Sequence, residues 1–243
     1  MRRVIRAVLF DLGGTLWHPV TQAERAQVLA AAGARLTQML REQGHAPVPD
    51  PVRLAQAVEA AAWRAEQQAA LTPLAVPAGL EIFAHTLAEF GLRLSVATCA
   101  PLRAAFSAEM VAERALYPKA LETLAALRGR HLRLAVVSDQ VWGEGCRQEI
   151  ERSGLAHFFQ SIVLSCEVGW MKPHPHIFQA ALSELGVHPE EAVMVGDNLR
   201  ADVLGAQAMG MMAIWKRAPG EAAGDIQPDA IIERLGELLE LLP

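Results

Sequence analysis

The sequence predicts an α/β protein: a doubly wound parallel sheet whose first strand is separated from the rest by an inserted block of helices. Three observations predict it. Beyond Tyr117-Pro118, short apolar runs alternate with helical stretches, and that rhythm implies parallel strands covered on both faces. One more run of the same kind, RAVLF at 6–10, stands alone near the N-terminus. Between the two, the chain turns to Ala, Leu, Gln and Arg, which favour helix.

RAVLF ends at Asp11 and leads into Gly13-Gly14, which reads as a buried strand and a tight turn. Thr21 and Glu24 have the spacing of a capping box, so a helix is expected from there to about Arg41, with Gly44 as its stop. Asp50-Pro51 supplies an N-cap and a first-turn proline for a second helix, to about Gln68. Helices are also expected over 79–91 and 101–115, whereas LRLSVAT (92–98) favours no single state. A helix over 119–128 precedes the strand RLAVVSD (133–139), and one near 143–153 precedes SIVLSC (161–166). A helix near 175–185 leads to AVMVGD (192–197), one at 200–209 leads to MMAIW (211–215), and DAII (229–232) precedes a terminal helix. The first strand therefore belongs with the C-terminal half. Residues 1–16 and 117–243 form the α/β core, and 17–116 is an insertion rather than a tandem partner.

With 52% hydrophobic and 20% charged residues, the chain can bury a substantial core and is not a disordered protein. A net charge of −5 argues against nucleic acid as a partner, because such binders carry a basic patch or stripe. Arg2, Arg3 and Arg6 read as the solvated end of a strand. No stretch reaches the roughly 18 consecutive apolar residues of a membrane span, and no signal-peptide apolar region follows the first arginines. Cys99, Cys146 and Cys166 are odd in number and in no CxxC pair, as expected of free thiols in a reducing compartment. The expectation is a cytoplasmic protein without a membrane partner.

Four segments stand at the C-terminal ends of expected strands, the edge where open α/β sheets bind ligands. FDLGGT (10–15) exposes Asp11 at a strand tip, with glycines that let the backbone approach a ligand or ion, although Asp is also an ordinary turn residue there. VVSDQ (136–140) offers the Ser138 hydroxyl to an anionic oxygen, or simply caps the next helix. GWMKPHPHIF (169–178) presents the compact charge of Lys172 on a loop stiffened by prolines. VGDNLRADVLGA (195–206) holds Asp197 and Asp202 about a turn, either as ligands for a hard cation such as Mg²⁺ or as two acids favoured at a helix start. Their conjunction is what points to chemistry. A carboxylate that attacks an anionic phosphate is repelled by several kcal/mol at an effective dielectric of about 20, and a divalent cation with an ammonium group offsets that.

The series D-x-x-G-T, S, K-P and G-D-x-x-x-x-D resembles the four motifs of the haloacid dehalogenase superfamily. GWMKPHPHIF followed by VGDNLRADVLGAQAMGM is most like the branch with a helical cap inserted after the first motif. The resemblance covers 1–16 and 117–243, and covers 17–116 only by position and helical character. It implies a Rossmann-like core with a mobile cap, active as a monomer or homodimer on a small phosphorylated substrate. The implied reaction is Mg²⁺-dependent hydrolysis of a phosphomonoester through an aspartyl-phosphate. It further implies Asp11 as nucleophile and metal ligand, with the Gly13 carbonyl and Asp197 as additional ligands. Asp202 would orient the metal site from behind, Ser138 and Lys172 would hold the phosphoryl group, and Lys172 would also steady Asp11.

One position departs from the pattern. Phosphatases of this family usually carry a second Asp two residues after the nucleophile, where it gives a proton to the leaving group and then activates water. Here that position is Gly13. General acid–base help is worth about 10²–10⁴ in rate, so its loss should hurt alkyl phosphates most and acyl or aryl phosphates least. His18 is a conceivable substitute donor. Dehalogenases of the superfamily also lack that Asp, because a halide needs no proton. A 2-haloacid dehalogenase using an aspartyl ester is therefore the alternative, and a degenerate binding protein is a third reading. The G-D-x-x-x-x-D segment favours the metal-binding type. Trp17, Trp142 and Trp170 lie close in sequence to Asp11, Ser138 and Lys172, and either line a pocket for an apolar or aromatic substrate or join cap to core. His174 and His176 look like a metal pair, but their loop already presents Lys172.

Overall fold

The computed structural model describes residues 4–71, 79–110 and 114–243. Arg2, Arg3 and the 111–113 part of the helix expected over 101–115 lie outside the described residues. The elements are, in chain order, β1 (Ala7–Phe10), α1 (Gln22–Glu42), α2 (Pro51–Leu71), α3 (Gly79–Glu89), α4 (Val96–Met110), α5 (Ala120–Gly129), β2 (Arg133–Ser138), α6 (Gly143–Arg152), β3 (Ser161–Leu164), α7 (Ser165–Val168), α8 (Pro175–Leu185), β4 (Ala192–Gly196), α9 (Gly205–Ala208), β5 (Met212–Lys216), β6 (Ala230–Ile232) and α10 (Leu238–Leu241). The chain divides into two units. One comprises Met1–Pro19, Ala115–Asp139 and Glu151–Pro243, and the other Val20–Arg114 with Gln140–Ile150.

The first unit is built on a six-stranded sheet of order β3-β2-β1-β4-β5-β6, parallel throughout. Every strand expected from the sequence is in it. All four residues of β1 are fully buried, as a central parallel strand requires, and Phe10 is level with both Val136 of β2 and Val195 of β4. The chain runs from β1 out to β2 and β3, then returns to place β4 on the other side of β1. That reversal is the topological switch point of the sheet. On one face, Ile177, Phe178, Leu182 and Leu185 of α8 pack with Leu9, Val137, Met194 and Trp215 of the strands.

The helix expected at 200–209 is more specific than its sequence suggested. Leu199–Leu204 is a π-helix, in which the N–H groups of Asp202 and Val203 both bond the Asn198 carbonyl, at 2.9 and 3.3 Å. The widened turn carries the Asp202 carboxylate back against β4, so that a Cβ on Gly196 would lie 2.2 Å from Asp202 Cγ. The terminal helix is only one turn, Leu238–Leu241, preceded by a 3₁₀ turn.

The second unit is helical. Leu36 and Leu40 of α1, Leu54 of α2, Phe83 of α3 and Phe106 of α4 form its core. The capping box is present: Thr21 Oγ1 accepts the Glu24 N–H at 3.2 Å, and Glu24 accepts the Thr21 N–H at 2.7 Å. Asp50 caps α2 through the Arg53 N–H at 2.9 Å. Helix α4 starts at Val96, five residues earlier than expected, because Ser95 Oγ accepts the Thr98 N–H at 3.2 Å and Pro101 is carried inside the helix. No helix among the described residues is long and apolar enough to cross a membrane.

Candidate active site

The site lies at the C-terminal tips of β1, β2 and β4, beside the switch point. Asp11 follows the buried β1 directly, and its N–H still bonds Val195 O at 3.0 Å, so its carboxylate emerges where the β-ladder ends. Ser138, the last residue of β2, donates to Asp11 Oδ1 at 3.1 Å. Lys172 comes from the loop between α7 and α8, and its Nζ donates to Asp11 Oδ1 and to Asp202 Oδ1, both at 2.7 Å. Asp202 uses its other oxygen to accept the Asn198 N–H at 2.9 Å. Asp197 follows β4, and one carboxylate oxygen from each of Asp11, Asp197 and Asp202 falls within 4.8 Å of the others. Five of the six predicted site residues thus converge through their side chains, and the sixth, Gly13, lies in the turn behind Asp11.

The two glycines of that turn differ sharply. A Cβ on Gly13 would meet nothing within 4 Å, and its backbone is not left-handed. Gly14 has φ of +74°, and a Cβ there would lie 2.0 Å from Asp197 Oδ2. The turn and the Asp197 carboxylate therefore approach too closely for any side chain between them.

The electrostatics of the site are those of acids held together out of water. Burial, reinforced by Asp11 and Asp202, pushes the Asp197 carboxyl up to about 7. Burial also raises Asp202, against the pull of Lys172. Asp139, beside Ser138, is raised to about 6, again chiefly by burial. Burial alone would lower Lys172, but Asp11, Asp202 and Asp139 outweigh it and hold the ammonium charged, its pKa above the ordinary lysine value. A second ammonium lies nearby: Lys216, 3% exposed, donates to Gly14 O at 2.9 Å and covers the Tyr117 ring at 3.4 Å from its centroid. Lys216 and Asp197 attract one another, while burial pulls the Lys216 pKa down. Four carboxylates (Asp11, Asp139, Asp197, Asp202) against two ammonium groups (Lys172, Lys216) leave a formal −2. An all-oxygen donor set within a cluster of that net charge, in a cradle that a Cβ on Gly14 would fill, fits a hard divalent cation.

Sequence reasoning passed over Asp139 and Lys216. Asp139 follows Ser138 in VVSDQ, where an acid reads as an ordinary helix-start residue. Lys216 ends an apolar strand, where a cation has no reason to be unless something buried accepts it. The remaining candidates make other contacts, and His18 reaches the edge of the site through Tyr117 and Lys216. His18 stacks on Tyr117 with centroids 3.9 Å apart. Trp17 is buried, Trp142 packs edge-on against Phe106 at 5.1 Å in the helical unit, and Trp170 stacks on His174 at 3.9 Å. His174 caps α8 by accepting the His176 N–H at 3.3 Å. The three cysteines are unpaired with one another, Cys99 and Cys146 being buried.

The family of haloacid dehalogenase-like hydrolases matches residues 5–210. A phosphoserine phosphatase of Thermus thermophilus is 36% identical over 98% of this chain and 91% of its own length. A glyceraldehyde 3-phosphate phosphatase of Pyrococcus furiosus is 37% identical over 51% of this chain and 53% of its own, so the likeness there spans about half of each protein. Among solved structures, a 2-haloacid dehalogenase of Pseudomonas syringae superposes with a TM-score of 0.69 at 27% identity, over 98% of both chains.

Proposed function

We propose, since the chain belongs to the haloacid dehalogenase-like hydrolases, that it is a Mg²⁺-dependent phosphohydrolase acting on a small phosphomonoester through an aspartyl-phosphate on Asp11. The observation that carries the reading is the convergence of Asp11, Asp197 and Asp202 at the switch point, with the Lys172 ammonium on Asp11 itself. The phosphoserine and glyceraldehyde 3-phosphate in the relatives' names are small phosphomonoesters and support that substrate class.

The chemistry follows from the side chains. The Asp11 carboxylate attacks phosphorus, the bond to the leaving oxygen breaks, and the phosphoryl group passes to Asp11. Two unit negative charges at about 4 Å repel by about 4 kcal/mol at an effective dielectric of 20, so the approach needs positive charge in place beforehand. Lys172 provides part of it, steadying Asp11 and meeting the phosphoryl oxygens together with the Ser138 hydroxyl. Asp11, Asp197 and the Gly13 carbonyl, with Asp202 behind them, would hold Mg²⁺, which would supply the remaining neutralisation. Water then attacks the phosphorus of the intermediate, the bond to the Asp11 oxygen breaks, and the carboxylate is restored. With Gly13 offering no acid, the departing oxygen takes its proton from water, and leaving groups that tolerate negative charge are favoured. We assign substrate selection to the helical residues 17–116, and a cytoplasmic setting is consistent with three cysteines that form no disulfide.

A second reading is supported by the likeness to a solved 2-haloacid dehalogenase, together with Gly13. One pair of assays separates the two. Phosphate release from an aryl phosphate should require Mg²⁺, stop with EDTA and vanish in Asp11→Asn. Halide release from a 2-haloacid without added metal, with no phosphate release, would replace the proposal with the dehalogenase.

A further inference from the structure

We infer that Asp139 is a positioning residue for this reaction: its carboxylate anchors the loop that carries Lys172, and so fixes where the ammonium meets Asp11. The inference rests on the phosphohydrolase reading, because it concerns how that site's cation is aimed.

The observation is a hydrogen bond across the sheet edge. The backbone N–H of Lys172 donates to Asp139 Oδ1 at 3.0 Å, tying the loop between α7 and α8 to the tip of β2. Lys172 lies in neither a helix nor a strand, so no regular ladder supplies an acceptor for its N–H. Its side chain is 4% exposed and commits its Nζ to Asp11 and Asp202, both at 2.7 Å. A shift of this loop would therefore be felt at once in the distance from Nζ to the nucleophile.

Ser138 and Asp139 thus act as a pair. Ser138 fastens Asp11 at 3.1 Å, and the next residue fastens the loop that brings the cation to Asp11. The charge matters as well as the bond. A carboxylate accepts an N–H about twice as strongly as a neutral oxygen, and here it also adds to the field that keeps Lys172 charged. Burial opposes ionisation of Asp139, so an acid at this position is kept against a cost that an amide would avoid. Its one hydrogen bond to Lys172 is to the backbone N–H, and its charge reaches the ammonium only through space.

The test compares Asp139→Ala with Asp139→Asn under saturating Mg²⁺, after wild-type turnover and its loss in Asp11→Asn have established the reaction. Two quantities are read: kcat and KM on an aryl phosphate, and hydrogen exchange of the Lys172 amide by NMR. Asp139→Ala should lower kcat by about 10²-fold with KM little changed, since a misplacement on the order of 1 Å costs that much. The Lys172 amide should lose its protection in the same variant. Asp139→Asn keeps an acceptor oxygen, so its amide should stay protected and its kcat should recover to within about tenfold of wild type. If Asp139→Ala is too unstable to assay, Asp139→Asn decides alone, because it keeps shape and acceptor. An unchanged kcat in Asp139→Ala overturns the inference. So does an Asp139→Asn enzyme that is inactive while its Lys172 amide remains protected, since the carboxylate would then be moving protons. The exchange measurement needs no substrate, so its outcome stands apart from the fate of the phosphohydrolase reading.

Discussion

Gly13→Asp installs a carboxyl group two residues beyond the nucleophile, and the structure sets both what it costs and what it should restore. A Cβ there meets nothing within 4 Å and the backbone at Gly13 is not left-handed, so the first added atom carries no steric penalty. Replacing glycine at a compatible position restricts the unfolded chain and stabilises by about 0.4–1 kcal/mol. Against this, one more negative charge joins a cluster of formal −2. At roughly 7 Å and an effective dielectric of about 20, each unit of net charge costs about 2 kcal/mol, so the variant should be less stable than wild type in EDTA and recover with Mg²⁺. The kinetic effect should be larger and selective. A positioned acid contributes about 10²–10⁴ in rate, or about 3–5 kcal/mol of barrier, and only where the leaving group needs a proton. The assay is kcat/KM for an alkyl and an aryl phosphate at saturating Mg²⁺. The ratio of alkyl to aryl turnover should rise at least about 10²-fold in Gly13→Asp. A folded variant with wild-type alkyl turnover would refute the reasoning, because another group would already be delivering the proton.

The remaining expectations concern the same few atoms. Gly14→Ala should abolish Mg²⁺-induced thermal stabilisation while Gly13→Ala keeps it: the left-handed φ costs about 1–2 kcal/mol, and the new Cβ displaces Asp197. An undiminished Mg²⁺ shift of Tm in Gly14→Ala would contradict the placement. Lys172→Met should lose phosphate turnover and about 3–5 kcal/mol of stability by urea denaturation, since it leaves the buried Asp11 and Asp202 carboxylates unpaired. A loss below about 1 kcal/mol would show that the pair is not what Lys172 stabilises. For Asp197 the sign of the pH dependence is fixed by its raised pKa, about 7 when folded against 3.8 for an ordinary aspartate. The folded state then binds more protons than the unfolded one between those values. Its stabilising contribution is full below about pH 4 and is lost as pH rises through 7. In EDTA, the Tm of wild type minus that of Asp197→Asn should therefore fall from pH 4 to pH 7.5. A difference that grows over that range would sink the argument.

Much of the fold was legible because it is written in local patterns. Each strand of the sheet is a short apolar run with a turn signal after it, and Thr21/Glu24 and Asp50-Pro51 mark helix starts by side-chain bonds that span three residues. What escaped were features decided by partners distant in the chain. The π-turn at Leu199–Leu204 exists because Asp202 folds back onto Gly196 and toward Lys172, a contact no helical period encodes. Lys216 reads as the end of a strand until Gly14 O and the Tyr117 ring are seen to receive it. The start of α4 escaped because Ser95 caps it from within LRLSVAT, a stretch with no single preference, and Pro101 is carried inside the helix.

The balance of charge also bears on which member of the family this chain is. A carboxylate displacing halide from a monoanionic acid needs its own nucleophile and an ammonium to hold it, which Asp11 and Lys172 already provide. Hydrolysis of the resulting ester gives reason for one further carboxylate as a base for water, but not for both Asp197 and Asp202, each raised by burial and each worsening the repulsion on Asp11. Carboxylates kept together at that cost are explained when a divalent cation sits among them, and the need for one arises when the electrophile is itself a phosphate anion. Gly13 then sets a requirement on the leaving group rather than a different reaction, and the ratio of alkyl to aryl turnover in wild type measures how strong that requirement is.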